Sequence, residues 1–531
     1  MFSMSNLKKY SPYLFFLVWL LIFLTLAFFR DSMVDENIYI GESITIFQLL
    51  KNGQWIGNYG VGLHGFLSKF LVGIIFLITG PNVFIPTLLN ISFAILSGVI
   101  LFTIIKKNFH FKEIYAYLGV TLLFSSYQFV LYTPTFYRDI GALLFTILFV
   151  QSILNQKNGW VSGLYLLLLL DAKEHVFFTV VPAVLVWILV NQYIVYEKSK
   201  KAFIVEVIKK GLQFFLPSIL WLVLMFTTSL IPLNIYNANI LGLVQGEFED
   251  MSKGFSLDRA TYNQDAQFNL AVPKGIPVLE APVGASNFEA FIIYSINTAL
   301  SYVGKIFYPR TFSFLSIPFV FLIPSILTSF KYLKYWSQKE RKELLLLPIL
   351  LHVFLAIYIL RASLGRYLLP IAPVILIFFL LFLKDVRRKK DFLITILSAL
   401  GFSLLGFYFE YSYVLVKVIL TLGLFITFFL IYFINDTKNK EKLKYLLITL
   451  ISVFAFGSAI FASYQNGQIG AYIMYGYNRE CEKILSLVSD DKKIWINDIG
   501  WDRLPSILRG EDVQDAEWKW SLKDWIPKKK L

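Results

Sequence analysis

Long, uninterrupted apolar runs recur along this chain and restrict it to a helical membrane fold. Three of them lie at 11–29, 81–105 and 211–231, and each is long enough to cross about 30 Å of hydrocarbon as a helix. Apolar residues make up 57% of the sequence and the mean hydropathy is +0.64, well above the values of a soluble domain. The sequence therefore predicts an all-α polytopic membrane protein. The first run is too long for a signal-peptide core, so we expect it to remain as an anchor.

The basic residues that produce the net charge of +14 concentrate between the apolar runs. The basic clusters lie at 106–112, 198–210, 331–342, 384–390 and 438–444. Clusters of this kind are typical of short cytoplasmic loops and set the orientation of the chain. They also explain the charge without nucleic acid, which we exclude as a partner.

A single scheme of crossings places all these clusters on the cytoplasmic side. It requires the short apolar piece 66–80, which contains Lys69, to lie in the membrane interface instead of crossing. The scheme predicts about 13 transmembrane helices, a cytoplasmic N-terminus and an outer C-terminus. After the first run, spans are expected to begin near residues 81, 114, 139, 160, 176, 211, 312, 343, 367, 391, 412 and 444.

The crossings predict two domains. Residues 1–463 form a transmembrane domain with a first outer loop at 30–80 and a large outer loop at 232–311, which contains a helical run near 287–304. Residues 464–531 form a small outer tail of α/β character, with a helix followed by a strand-like KIWIN. Cys481 is the only cysteine, and the four histidines show no ligand spacing, so the pattern predicts neither a disulfide framework nor a metal cluster.

Ionisable residues recur where the spans meet the outer surface. Asp35 and Glu36 follow the first span, Arg138 and Asp139 form a short outer turn, and the run DAKEH at 171–175 interrupts an apolar stretch. Further cations lie at Arg310, Arg361 and Arg366. Carboxylates act as general bases, and Arg and Lys bind phosphate, so this mixture suits sugar transfer from a lipid phosphate. The alternatives are surface ion pairs, a structural turn at 171–175, and headgroup anchors at 361 and 366.

Several blocks resemble a known family. DENIYIGESITIFQLLKNGQW, at 35–55, is similar to the D-E-x-x-Y signature of GT-C glycosyltransferases, and RYLLPIAP, at 366–373, is similar to a later motif. The nearest branches are the protein O-mannosyltransferases and the lipid A aminoarabinose transferases, of glycosyltransferase families 39 and 83. The chain departs from them at 62–70, where a K-P-P segment is usual, and at 85–90, where an R-L pair is usual.

The resemblance implies a GT-C fold of about 13 helices with juxtamembrane helices in the first outer loop. It also implies a polyprenyl-phosphate sugar as donor and a lipid, glycan or protein acceptor on the outer face. A divalent cation is compatible with the acids but not required. Asp35 matches the general base, with Glu36 and Asp139 as further acids. The expected donor-phosphate contacts are Lys173, Arg310, Arg366 and Arg138, and the expected acceptor-cavity residues are Tyr39, His64, Lys69 and Arg361.

Other functions remain open from the residues alone. An outer-face ligase or polymerase would use a lipid-linked oligosaccharide, and a lipid or sugar transporter would carry its site near mid-membrane. A non-enzymatic scaffold would not need the outer charges. The sequons at Asn90 and Asn435 fall in a span and in a cytoplasmic loop, so no outer loop offers a glycosylation site. This pattern favours a prokaryotic plasma membrane.

Overall fold

Every regular element that the structure describes is a helix, which confirms the predicted helical class. The computed structural model describes residues 4–29, 34–56, 65–82, 84–195, 200–228, 279–307, 322–333, 343–360 and 365–385. The predicted α/β tail at 464–531 and the spans expected near 391, 412 and 444 lie outside the described residues. The total of about 13 crossings therefore stays a prediction.

The helices follow one another with short connections over most of the described chain. They are α1 (Met4–Phe29), α2 (Val34–Lys51), α3 (Phe66–Thr79), α4 (Phe84–Thr103), α5 (Glu113–Phe124), α6 (Tyr127–Tyr132), α7 (Arg138–Leu154), α8 (Gly159–Ala172), α9 (Glu174–Val195), α10 (Lys200–Thr227), α11 (Asn287–Phe307), α12 (Leu322–Leu333), α13 (Leu346–Leu360) and α14 (Ala372–Asp385). A π-helical turn, Ile104–Asn108, extends α4, and a 3₁₀ segment, Gly365–Ile371, precedes α14.

Four of the described helices contain a stretch long and apolar enough to cross a membrane. These stretches are Tyr10–Ala27, Phe84–Asn108, Glu174–Ile194 and Lys200–Met225. Several other apolar helices are shorter, among them α3 at 14 residues. At 1.5 Å per residue α3 is about 21 Å long, which is less than the thickness of the hydrocarbon layer. The helix α8, which is predicted to cross, also has 14 residues, so the place of α3 in the interface stays a prediction.

Two expectations about element boundaries were wrong. The basic stretch 198–210 was expected as a loop, but α10 begins at Lys200 and carries its basic residues on its first turns. Lys is a good helix former, so a basic stretch continues an apolar helix beyond the hydrocarbon without breaking it. The span expected from residue 114 is divided into α5 and the six-residue α6. Ser125 and Ser126 separate them because their hydroxyls donate to the carbonyls of Thr121 and Leu123.

The helix α7 lies at the centre of the packing that positions the site. It contacts α4, α8 and the 3₁₀ segment, while α8 also packs against α10, and α2 packs against α3. Glycine permits the closest of these approaches, because a Cβ at Gly163 of α8 would lie 2.2 Å from the carbonyl oxygen of Gln213 in α10. The first turns of α2, α3 and α7 and the last turn of α8 meet at one end of the helical domain.

The helix α11 begins with a capping box. Ser286 donates its backbone N–H and its hydroxyl to Glu289, and the Glu289 N–H donates to the Ser286 hydroxyl at 3.3 Å. The bond from the Ser286 backbone N–H lowers the pKa of Glu289 below its usual value. This start precedes α11, which covers the helical run expected near 287–304.

Candidate functional site

The first turn of α2 carries the Asp-Glu pair and ties this helix to the start of α7. Asp35 and Glu36 are the second and third residues of α2. The Glu36 side chain is fully buried, and its Oε1 accepts the backbone N–H of Phe136 at 2.8 Å. Phe136 lies in the turn between α6 and α7, two residues before Arg138. Glu36 therefore helps to hold the turn from which Arg138 and Asp139 project.

Arg138 opens α7 and connects it with α2 and α9. Its guanidinium donates to the Tyr39 hydroxyl at 3.0 Å and lies 4.8 Å from the centre of the Tyr39 ring. On its other side it contacts the Glu174 carboxylate at 3.5 Å. Arg138 thus combines a hydrogen bond, a cation–π contact and an ion pair in a largely buried position.

The run DAKEH marks a break between two helices that follow each other almost without a loop. The helix α8 ends at Ala172, α9 begins at Glu174, and Lys173 between them is extended, with φ −160° and ψ 96°. The Lys173 ammonium forms an ion pair with Asp139 in the first turn of α7, and both side chains are less than 5% exposed. The break therefore places a lysine beside the acid that the sequence assigns to the site.

Asp171, in the last turn of α8, binds the first turn of α3 in two ways. Its Oδ2 accepts the backbone N–H of Leu67 at 3.0 Å, and its backbone carbonyl accepts the N–H of Gly65 at 2.6 Å. Gly65 has φ +69°, and a Cβ there would lie 2.8 Å from Cδ of Arg138. The chain therefore passes between Asp171 and Arg138 at a point where a side chain would collide.

Lys69, in α3, is buried and pairs with a residue that the sequence reasoning missed. Its Nζ donates to Oε2 of Glu42 at 2.6 Å, while its side chain is 1% exposed. Asp35, Tyr39 and Glu42 are spaced by four and three residues, which places them on one face of α2. This spacing is the signal in the sequence that points to Glu42.

A small cavity lies between the first turns of these helices. It has a free volume of about 10 Å³, and its lining includes Tyr39, Lys69, Asn90, Phe136 and Arg138. The Asn90 side chain donates to the carbonyl of Tyr132 at 2.9 Å, so it serves the turn before α7. Asn90 is thus a buried structural residue.

The structure brings together most of the predicted site residues that it describes in full. Glu36, Tyr39, Lys69, Arg138, Asp139 and Lys173 all belong to this cluster. Asp35 and Arg366 lie in described elements, α2 and the 3₁₀ segment, although their side chains are outside the described part of the structure. His64, Arg310 and Arg361 lie outside the described residues.

Three ion pairs join the elements of the cluster. Each pair joins a cation to a carboxylate from another helix or from the α8–α9 break, and the three pairs are Lys69–Glu42, Arg138–Glu174 and Lys173–Asp139. Isolated buried charges are costly, particularly near lipid, and pairing offsets part of that penalty. Among the described residues, no three His, Cys, Asp or Glu side chains are grouped as for a metal ion. The divalent cation stays a prediction.

Two crystal structures are similar in fold to this chain. That of ArnT from Cupriavidus metallidurans bound to undecaprenyl phosphate matches with a TM-score of 0.55 at 12% sequence identity, covering 94% of this chain and 84% of ArnT. The same protein in the apo state gives a TM-score of 0.54 at 12% identity and covers 94% and 85%. No family model and no curated protein matches the chain. The chain therefore has an ArnT-like fold, as the resemblance to the lipid A aminoarabinose transferases implied.

Proposed function

We propose that this chain is a membrane glycosyltransferase that moves a sugar from a polyprenyl-phosphate donor to an acceptor on the outer face, with inversion. The observation that carries the proposal is the buried cluster of acids and cations where α2, α3, α7 and the α8–α9 break meet. Burying charged groups at the end of a membrane helix costs free energy, so such a cluster is a candidate functional site. The ArnT-like fold and the D-E-x-x-Y block support the same function.

Asp35 is the general base in this proposal. Its carboxylate takes the proton of the acceptor hydroxyl while the acceptor oxygen forms a bond to the anomeric carbon. The bond from that carbon to the phosphate oxygen breaks, and polyprenyl phosphate leaves with the bonding electrons. The sugar acquires oxocarbenium character at this stage, so cations that stabilise the departing phosphate lower the barrier.

The other site residues support this step from around Asp35. Glu36 and Asp139 orient the reacting groups, Glu36 through the turn before α7 and Asp139 through Lys173. Cations stabilise the donor phosphate, and those assigned to it are Arg138, Lys173, Arg310 and Arg366. The acceptor cavity is assigned to Tyr39, His64, Lys69 and Arg361.

The fold neighbour and the charges together support the proposed donor class. The ArnT structure is described as bound to undecaprenyl phosphate, and a phosphate with a long apolar chain suits cations at the mouth of a membrane helix. The acceptor is a lipid, a glycan or a protein. Residues 1–463 form the catalytic membrane domain, in which the loop 232–311 helps to bind the acceptor, and 464–531 form an outer tail. The chain lies in a prokaryotic plasma membrane, with its N-terminus in the cytoplasm.

Transfer by Asp35→Asn tests the base assignment. The purified variant is expected to lose at least about 100-fold in turnover, the scale of a general-base contribution, while it still binds the donor. Asp31→Asn, which neutralises an acid four residues earlier in the chain, is the matched control and is expected to retain turnover. Full activity in Asp35→Asn would remove Asp35 from the reaction.

A further inference from the structure

We infer that Asp171 is a positioning residue that fastens the first turn of α3 to the α8–α9 break, and so sets the place of Lys69 relative to Lys173. Neither the sequence patterns nor the fold neighbours assign a role to Asp171. The positioning itself is independent of the proposed function, and only its catalytic consequence rests on that function.

Two hydrogen bonds from one residue make this connection. The Asp171 carboxylate accepts the Leu67 N–H and the Asp171 carbonyl accepts the Gly65 N–H. The first N–H groups of a helix have no partner within the helix, and their partial positive charge favours a carboxylate. Asp171 thus supplies from α8 the cap that α3 lacks in its own sequence, because the residue before α3 is Gly65, which has no side chain.

The position of Asp171 links the two lysines of the cluster. Lys69 lies one turn after Gly65, and its N–H donates to the Gly65 carbonyl at 3.1 Å. Lys173 lies two residues after Asp171 and pairs with Asp139. A shift of the Asp171 contact would therefore move Lys69 relative to Lys173.

Asp171 makes its contact with α3 in a buried position. Its side chain is 1% exposed at the end of an apolar helix, and its Oδ1 has no hydrogen-bond partner among the described residues. A buried carboxylate with one oxygen unpaired is costly. An Asn could accept the same N–H without the charge, which makes Asp171→Asn the conservative variant for this contact.

Hydrogen exchange of the amides at 65–69 tests the contact directly. In Asp171→Ala these amides are expected to exchange at least about tenfold faster than in the wild type, because a hydrogen bond to a charged acceptor is lost. Asp171→Asn keeps an acceptor and is expected to restore most of the protection. Asn158→Ala is the matched control, since it removes the cap at the opposite end of α8, where the Asn158 side chain accepts the Trp160 N–H. Exchange at 65–69 that is equal in Asp171→Ala and Asn158→Ala would overturn the inference.

A second pair of variants tests the same contact from the side of α3 if Asp171→Ala fails to fold. Leu67→Pro removes the N–H that Asp171 accepts and leaves α8 unchanged, and proline is tolerated in the first turn of a helix. Phe66→Pro, one residue earlier, is its control, because the Phe66 N–H is not the group bonded to the carboxylate. The amides at 68 and 69 are expected to exchange faster in Leu67→Pro than in Phe66→Pro. Equal rates would count against the role of Asp171.

The kinetic consequence separates positioning from chemistry. With a polyprenyl-phosphate sugar as donor, Asp171→Ala is expected to raise KM about tenfold and to change kcat less than about twofold, since the displaced α3 weakens donor binding before the reaction. Asp171→Asn is expected to restore KM. A fall in kcat with KM unchanged would contradict positioning. If the wild type transfers no sugar, the proposed function fails, whereas the exchange results still decide the contact between Asp171 and α3.

Discussion

At the residue scale, the candidate site contains buried pairs of opposite charge that join different helices. Lys173 pairs with Asp139, and Arg138 pairs with Glu174 while it bonds to Tyr39. In the proposed function, a donor phosphate that enters this cluster competes with these carboxylates for the cations.

Removal of one partner from the buried Lys173–Asp139 pair is expected to destabilise the protein. Lys173→Met leaves the Asp139 carboxylate buried beside an apolar side chain, so we expect a loss of about 3–5 kcal/mol in the free energy of unfolding. The double variant Lys173→Met, Asp139→Leu is expected to recover most of that loss, because apolar packing replaces the whole pair. Unfolding in detergent measures both effects. A single variant as stable as the wild type would show that the pair is not a buried interaction.

The left-handed glycine between Asp171 and Arg138 offers a matched comparison. Gly65 and Gly53 both have positive φ, +69° and +66°, but a Cβ would meet Arg138 at Gly65 and nothing within 4 Å at Gly53. In both alanine variants the left-handed backbone lowers the free energy of unfolding by about 1–2 kcal/mol. Gly65→Ala is expected to lower it further than Gly53→Ala, because the new Cβ collides with Arg138. Thermal unfolding of the two variants side by side measures the difference, and equal losses would show that the contact with Arg138 is loose.

The buried charged residues of α2 and α3 were predictable from the sequence, and their partners were not. Glu36 and Lys69 stand out because charge is rare in such apolar surroundings. The partners of these residues, the N–H of Phe136 and the Glu42 carboxylate, depend on how α2 packs against α3 and against the turn before α7. Periodicity along one helix does not specify contacts between helices.

At the element scale, breaks between helices place the charged residues of the site close together. Lys173 alone separates α8 from α9, so the end of one helix and the start of the next deliver charged residues to the same place. The helices α7, α8, α9 and α13 begin within a few residues of the span starts expected at 139, 160, 176 and 343, and α9 is the one of these four with a stretch long and apolar enough to cross a membrane. The break at Ser125–Ser126 was missed because the sequence does not distinguish a serine that ends a helix from a serine within a helix.

Close packing of α8 on α10 is expected to depend on a glycine. A Cβ at Gly163 would collide with the carbonyl of Gln213, whereas a Cβ at Gly211 in α10 meets nothing within 4 Å. Gly163→Ala is therefore expected to lower the thermal midpoint, and Gly211→Ala to leave it unchanged or raise it, because alanine favours a helix by about 1 kcal/mol over glycine. Equal midpoints for the two variants would mean that the α8–α10 contact adjusts without strain.

At the scale of the whole molecule, the proposed function requires that the charged cluster face the outer side of the membrane. The basic clusters predict this orientation, since it alone keeps them all in the cytoplasm when residues 66–80 do not cross. The α7–α8 connection, at 155–158, then lies inside, and the α8–α9 break lies outside. This orientation stays a prediction from the sequence, and it rests on charge bias and not on packing.

Cysteine labelling in intact cells tests the orientation. In a Cys481→Ser background, which removes the only native cysteine, Val283→Cys is expected to react with a membrane-impermeant maleimide, because Val283 is 85% exposed in the large outer loop. Lys157→Cys, exposed in the α7–α8 connection, is expected to react only after the cells are permeabilised. The opposite pattern would place the charged cluster on the cytoplasmic side and contradict the outer-face account.

Consumption of a lipid-phosphate sugar by the purified wild-type protein is the most direct test of the central claim. The protein in lipid nanodiscs is mixed with a panel of polyprenyl-phosphate monosaccharides, and the released polyprenyl phosphate is measured against empty nanodiscs. The account predicts release from at least one member of the panel and faster release when an acceptor is present. No binding and no release across the panel, together with consumption of a lipid-linked oligosaccharide or transport of an intact lipid, would contradict it.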